Sequence, residues 1–418
     1  MTRTDIKPGY KMTKLGWIPE EWEVVILRDI LTKSKLGGNY KNSIEKTNSP
    51  LIKMGNLGRG SIKLDKLEYI TGGEHIEEID LLSQGDLLFN TRNTLALVGK
   101  VAIWNSELPI AYYNSNLMRL EFHSDHIESN YFANYLFNSE KVIGRLFGLA
   151  TGTTSVAAIY TKDLLKIKLV LPPLPEQKKI AQILSTWDQA IEKTQSLILK
   201  MQDRKKGLMQ QLLTGKKRLP GFSGEWEEVK LSDILINRGI KLDPEANVMY
   251  QQIGVRSHKK GIFYKEKVTG KSLGNKRVFW IEPNCFIVNI VFAWEHAIAK
   301  TSEAEVGMIA SHRFPMYSTK EDILEVDFLL LYFKTSRGKY LLQLASPGGA
   351  GRNKTLGKSE FLRLSIPIPS IKEQTAIAQV LTQADKEIQQ TQNYLAQLQQ
   401  QKKGLMQQLL TGQKRVAV

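Results

Sequence analysis

Apolar residues recur alternately four and three apart over two long stretches of the chain, and that spacing predicts two long helices with a heptad seam. In the first, the seam runs Ile180, Leu184, Trp187, Ile191, Thr194, Ile198, Met201, Lys205, Leu208 and Leu212. In the second it runs Ile377, Leu381, Ala384, Ile388, Thr391, Leu395, Leu398, Lys402, Leu405 and Leu409, with Thr and Lys intruding at the same places. From Glu176 to Thr214 there is no proline, and only Gly207 interrupts good helix formers. Pro172, Pro173 and Pro175 precede the first helix, Pro367 and Pro369 the second, and Gly215 and Gly412 stand where each should stop. At 1.5 Å per residue each helix should be roughly 58 Å long. Two helices with apolar stripes and little other core nearby should pair, and an antiparallel pairing within one chain gives pseudo-twofold symmetry. The alternative is that each packs on its own module.

The two helices are copies. Lys205–Gly215 recurs unchanged at Lys402–Gly412, an offset of 197 that also places Glu176-Gln177 on Glu373-Gln374 and Asp188 on Asp385. A second match opens each half: Trp22-Glu23, Leu27 and Asp29-Ile30-Leu31 correspond to Trp226-Glu227, Leu231 and Asp233-Ile234-Leu235, at an offset of 204. Between these anchors the halves look almost unrelated. The expected organisation is residues 1–175 as a first module, 176–216 as the first helix, 217–372 as a second module and 373–418 as the second helix.

The modules read as mixed α and β. Pro50–Met54, Asp86–Phe89, Val98–Trp104 and Leu117–Phe122 predict short strands, as do Val278–Ile281, Phe286–Phe292 and Met308–Ala310. Asn130–Leu146 and Glu325–Leu344 predict one amphipathic helix each. Of these apolar runs, Phe286–Trp294 and Phe328–Phe333 are far too short to span a bilayer. Met1–Lys11 is polar and charged, without a secretory apolar region. The single cysteine, Cys285, excludes a disulfide framework or a Cys-based zinc site within the chain. These features lead to the expectation of a cytoplasmic protein. Lys and Arg outnumber Asp and Glu by 58 to 42, a net charge of +16, which favours polyanionic partners such as nucleic acid.

No catalytic constellation emerges. Thr269-Gly-Lys-Ser272 lacks the first glycine of a phosphate loop, with Lys265 in its place, and Val98-Gly-Lys100 fails likewise at Thr94. Gly270-Lys-Ser-Leu-Gly274 spells a nucleophile elbow, but Tyr264–Thr269 is too charged for a central strand, so a surface turn is expected. His123 and His126 flank Asp125, a spacing that exposed loop histidines share with metal ligands. Glu176 is read as an acid favoured by the helix dipole rather than as the end of a nuclease motif.

Taken together, the duplicated Pro-rich turn, Glu-Gln, Ile-Ala-Gln and Lys-Lys-Gly-Leu-Met-Gln-Gln-Leu-Leu-Thr-Gly resemble the specificity subunit of type I restriction–modification systems. The leading Gly16-Trp-Ile-Pro-Glu-Glu-Trp22 and its counterpart Gly221-Phe-Ser-Gly-Glu-Trp226 resemble the entry to a target recognition domain. The resemblance covers essentially the whole chain and implies an α+β fold: two mixed recognition domains joined by two long antiparallel helices forming a coiled coil. It implies a prokaryotic, non-catalytic subunit that binds double-stranded DNA at a bipartite target, one half per recognition domain, with a spacer of fixed length. It implies two modification (methyltransferase) subunits using S-adenosylmethionine and two restriction (nuclease–translocase) subunits using ATP and magnesium. This chain itself would bind no cofactor, no metal and no membrane. A coiled-coil scaffold with two protein-binding heads is the rival reading, and salt-dependent DNA affinity separates the two.

Base edges are read by polar side chains on loops, with Lys and Arg also on phosphates. The candidates in the first module are Asn90, Thr91, Arg92 and Asn93; Asn114 and Asn116; and Thr151, Thr153, Thr154 and Ser155. In the second they are Arg256, His258, Lys259 and Lys260; Lys276 and Arg277; His312 and Arg313; and Arg352, Asn353 and Lys354. The basic tails Lys200–Arg218 and Lys402–Arg415 either touch DNA phosphates or are solvated.

Overall fold

The structure, a computed structural model, describes residues 8–348 and 354–417. It divides into two compact units: one holds the chain up to Gln195 and returns from Tyr394, and the other is Ser196–Asn393.

In the first unit a five-stranded sheet runs in the order Leu31–Leu36, Leu117–Phe122, Leu87–Asn90, Val101–Ile103 and Gly60–Ser61, antiparallel except for its last pair. Its inner strands are apolar on both faces because two cores meet there. Leu87, Phe89, Val101 and Ile103 join Phe132 and Phe137 on one side, while Leu88 and Ala102 join Trp104 and Tyr113 on the other. The second unit repeats the device: Phe286 and Val288 face one core and Ile287 another, in a four-stranded sheet ordered Leu235–Arg238, Met316–Thr319, Phe286–Val288, Ile298–Lys300. The apolar run Phe286–Phe292 stays a strand only to Val288, after which Asn289 turns the chain by accepting from the Val291 amide at 3.1 Å. In each unit the entry strand pairs antiparallel with the exit strand, Glu23–Ile26 with Lys168–Leu171 and Glu227–Lys230 with Ser365–Ile368.

The two amphipathic segments expected as single helices are each broken in two. In the first unit, Asn130–Phe137 and Glu140–Leu149 are separated at Asn138, whose carboxamide donates to the Asn134 carbonyl, and at Ser139, which is extended. In the second, Val326–Phe333 and Ser336–Leu344 are separated by Thr335, whose hydroxyl accepts from the Gly338 amide at 3.0 Å. These polar side chains satisfy the backbone locally, and the helical period alone does not register that competition. At this corner a Cβ on Gly338 would stand 2.4 Å from Phe333 Cα and 2.5 Å from the Tyr332 carbonyl. Gly338→Ala should therefore destabilise the second unit by about 1–3 kcal/mol through overpacking. Gly144→Ala, where a Cβ meets nothing within 4 Å, should gain up to about 1 kcal/mol in helix propensity. Chemical denaturation of the two variants checks the pair, and a Gly338→Ala protein as stable as the parent would overturn it.

The long helices span Leu174–Leu212 and Ile371–Leu410. Each ends on a left-handed glycine, Gly215 at φ 70° and Gly412 at φ 69°, and beyond it the amides of Lys217 and Lys414 reach back to the Gln211 and Gln408 carbonyls. All twenty seam positions are buried or half-buried. The helices run antiparallel in both units. In the first, Asp188 pairs with Lys402; in the second, Asp385 pairs with Lys205 and Thr391 meets Met201. The lysines that intrude into the seam are thus ion-paired to the acids duplicated with them. The helix roots also pack on their own modules, with Ile180 and Leu184 in the first core and Ile377 and Leu381 in the second.

Candidate nucleic-acid interface

The duplicated Glu-Gln fixes each module to its helix. Gln177, fully buried, donates to the carbonyls of His126 (2.8 Å) and Pro172 (2.9 Å) and accepts from the Glu128 amide (3.0 Å). Gln374 makes the same three contacts, to Ile323 and Pro369 (both 2.8 Å) and from Glu325 (2.9 Å). The buried Glu176 carboxylate accepts from Trp22 Nε1 at 2.9 Å and from Arg415, and Glu373 takes Arg218 in a two-pronged pair. The dipole account of Glu176 is therefore incomplete: the carboxylate ties the module's entry tryptophan to the end of the other helix. The basic tails also gain a third reading, because Lys205, Arg218, Lys402 and Arg415 are all engaged in ion pairs.

On this frame the first unit brings all three of its candidate loops together. Arg92–Asn93 pairs with Ala157–Ala158, which pairs in turn with Thr151–Gly152. The amide and hydroxyl of Thr91 both donate to the Asn116 carbonyl, at 3.0 and 2.9 Å. Arg92 and Thr151–Ser155 are exposed, and the Arg92 guanidinium meets no carboxylate among the described residues. Asn90 and Asn114 are buried instead, each holding a turn through its Oδ1, from the amides of Arg92 (3.2 Å) and Asn116 (3.3 Å).

In the second unit a cleft of about 820 Å³ collects Arg256, His258, Lys260, Lys276, His312 and Arg313 from three segments, with no carboxylate in its lining. Arg277 is held beside it, its carbonyl accepting from the His312 amide at 3.0 Å. The cleft rests on the five-stranded sheet ordered Lys241–Leu242, Val278–Trp280, Ile309–Ser311, Met249–Arg256, Gly261–Thr269. The charged stretch Tyr264–Thr269 belongs to its edge strand. Ser272, in the following single turn, shares its hydroxyl with Thr269. Phe263 and Lys265 also line the cleft, and the sequence reading passed over them. Phe263 underlies Arg256, whose guanidinium sits 5.0 Å from its ring centroid. Only the pairing of Met249–Arg256 with Gly261–Thr269 reveals that role. Burial, then the neighbouring Arg277, Arg313 and Lys358 charges, push the His312 imidazole below its usual value, so at pH 7 it is neutral, one nitrogen donating and the other accepting.

Two candidates stand apart from the cleft. Lys259 turns into a neighbouring pocket, and Lys354 lies 5.8 Å over the Trp294 ring. Arg352 and Asn353 lie outside the described residues. Among the described residues no group of His, Cys, Asp and Glu could hold a metal, and no helix is long and apolar enough to cross a membrane.

The family model of the type I restriction modification DNA specificity domain matches the chain twice, at residues 19–200 and 223–400. The chain belongs to this family. It is the DNA specificity subunit of a type I restriction–modification system, a component of that complex and not its catalyst. The subunit is 27% identical over 428 residues to a putative type I restriction enzyme MjaX specificity subunit of Methanocaldococcus jannaschii, covering 98% of this chain and 97% of that protein. It shares its fold with the crystal structure of a type I restriction–modification S subunit from M. genitalium, at a TM-score of 0.54 and 14% identity, covering 97% and 99% of the two chains. A structure described as the basis of complex assembly and conformational transition in the type I system aligns at a TM-score of 0.56 and 16% identity, covering 95% and 99%.

Proposed function

We propose that this specificity subunit reads a bipartite double-stranded DNA target, one half per unit, and that the paired long helices set the length of the unread spacer. The observation that carries the reading is the acid-free cleft of the second unit, which gathers cationic and amide-bearing side chains from segments spread between Gln252 and Phe314 onto one solvent-facing surface. The matching surface of the first unit is the Arg92, Thr151–Ser155 sheet edge. Arg313, Arg256 and His312 would read base edges, and Lys260, Lys276 and Arg277 would neutralise phosphates. The helix faces outside the seam would bind two modification subunits, and two restriction subunits would complete the assembly. S-adenosylmethionine, ATP and magnesium would be held by those partners.

Arg313→Ala should cost about 1–3 kcal/mol against the cognate duplex and relax discrimination in one half-site only. Arg92→Ala should do the same in the other half. Competition binding against duplexes altered in either half tests this, and equal losses at both halves in either variant would count against the assignment. Sequencing host DNA for methylated adenine with and without the gene should show one split motif losing its methylation.

A further inference from the structure

Beside the reading cleft lies a second pocket, of about 440 Å³, walled by His258, Lys259, His296, Ser336, Lys339 and Tyr340. His258 belongs to both walls, so the pocket borders the cleft. It contains two lysines and no carboxylate, and neither lysine has an ion-pair partner among the described residues. His296 is 6% exposed, and its Nε2 is buried with no hydrogen-bond partner. The helix Ser336–Leu344 opens on this wall, which adds the positive end of its dipole.

The backbone supplies an independent sign. His258 and Lys259 are the two central residues of the turn Ser257–Lys260, which joins Met249–Arg256 to Gly261–Thr269, at φ 60° and 63°. Such turns demand left-handed residues at both positions and ordinarily take Asn-Gly. Here the turn keeps two long cationic or ionisable side chains, and it is tied down by the amides of His258 and Lys259 donating to the carbonyls of Glu295 (2.7 Å) and His296 (3.1 Å). His296 is left-handed as well, at φ 61°. Half of the non-glycine residues with positive φ among the described residues thus meet at one pocket, and strain kept in one place points to a role for the side chains it presents. Burial, then Lys339 and Lys205, hold the Lys259 ammonium below its ordinary value, as cations crowded without a counter-charge should be.

We propose that this pocket binds a phosphate group, and that its source is the DNA backbone at the border of the reading cleft. Lys259, Lys339, Ser336 and Tyr340 all line this one volume, and a set of ammonium and hydroxyl donors suits a tetrahedral anion with several oxygens better than a planar base edge. The proposal rests on the cleft being the DNA-reading surface.

The test uses the full-length subunit and duplexes carrying or lacking the target, with affinity measured across a salt series. Lys259→Gln with Lys339→Gln should weaken binding to both duplexes alike. It should lower the slope of log affinity against log salt by about 0.9, the share of one phosphate, and leave the preference between duplexes unchanged. An unchanged slope overturns the proposal, and so does a slope unchanged while inorganic phosphate stabilises the parent but not the variant, which would make the pocket a free-anion site. His258→Asn with Lys259→Gly supplies the turn with its favoured residues. It should fold at least as stably as the parent yet bind DNA more weakly, and unimpaired affinity overturns the proposal. Failure of the reading itself would look different, since the parent would then show no preference for any duplex.

Discussion

Replacing Gln374 with leucine should destabilise the second unit by about 3 kcal/mol while leaving the first unit at its parental stability. The carboxamide is fully buried and joins the Glu325 amide to the carbonyls of Ile323 and Pro369. Leucine matches its bulk but strands one donor and two acceptors, each at about 1–3 kcal/mol, with part recovered where water reaches the groups nearer the surface. Gln177→Leu should do the same to the first unit alone, since its three bonds are copies of these. The chain has two units and need not unfold in one step, so the measurement must resolve them. Peptide-resolved hydrogen exchange at Val326–Phe333 and at Asn130–Phe137 does so. Losses below about 1 kcal/mol, or equal losses in both units from either variant, would show that these glutamines are not the roots of their own modules.

This pair also marks how far the sequence carried. The repeat announced that Glu-Gln mattered, and the heptad spacing placed the helices and their seam, because period and repetition are local properties of a chain. The partners of those residues were not legible. Glu176 meets Trp22 and Arg415 from opposite ends of the sequence, and Lys402 meets Asp188 only through antiparallel pairing. The breaks at Asn138 and Thr335 were hidden because a polar side chain bonding its own backbone leaves the apolar period undisturbed. The turn at His258-Lys259 carries no glycine of its own, and Gly261 just beyond it does not tell which two residues the hairpin presents. The basic and polar loop residues could be named one by one, but their convergence on a cleft depends on sheet order. Asn90 and Asn114 show the limit from the other side: as residue types they suit base reading, and in place they are buried braces of turns.

The second unit should lose stability between about pH 6.5 and pH 4 through His296. Burial, then the Lys259 charge and more weakly Lys339, push this imidazole down to about 4 from its usual 6.5, and the backbone of Thr335 and Phe333 only partly opposes them. The folded state therefore binds this proton less readily than the unfolded chain. Above pH 6.5 the residue is neutral in both states and imposes no penalty. As pH falls from 6.5 the unfolded chain takes up the proton first, so stability declines until the folded site protonates near pH 4, a loss on the order of 3 kcal/mol. His296 adopts a left-handed conformation, which asparagine tolerates, so His296→Asn should fold and should lack this component of the acid loss. Urea denaturation at pH 7, 5.5 and 4.5, followed by exchange at Ser336–Leu344, separates the outcomes. Parallel pH profiles for parent and variant would mean that His296 is charged, or solvated, in the folded unit. A neutral His296 has a further consequence: it adds no charge to that of Lys259 and Lys339 in the pocket near pH 7. The difference in salt slope between the parent and the Lys259→Gln, Lys339→Gln variant at pH 7.5 therefore reports those two lysines and the anion they hold, with no contribution from His296.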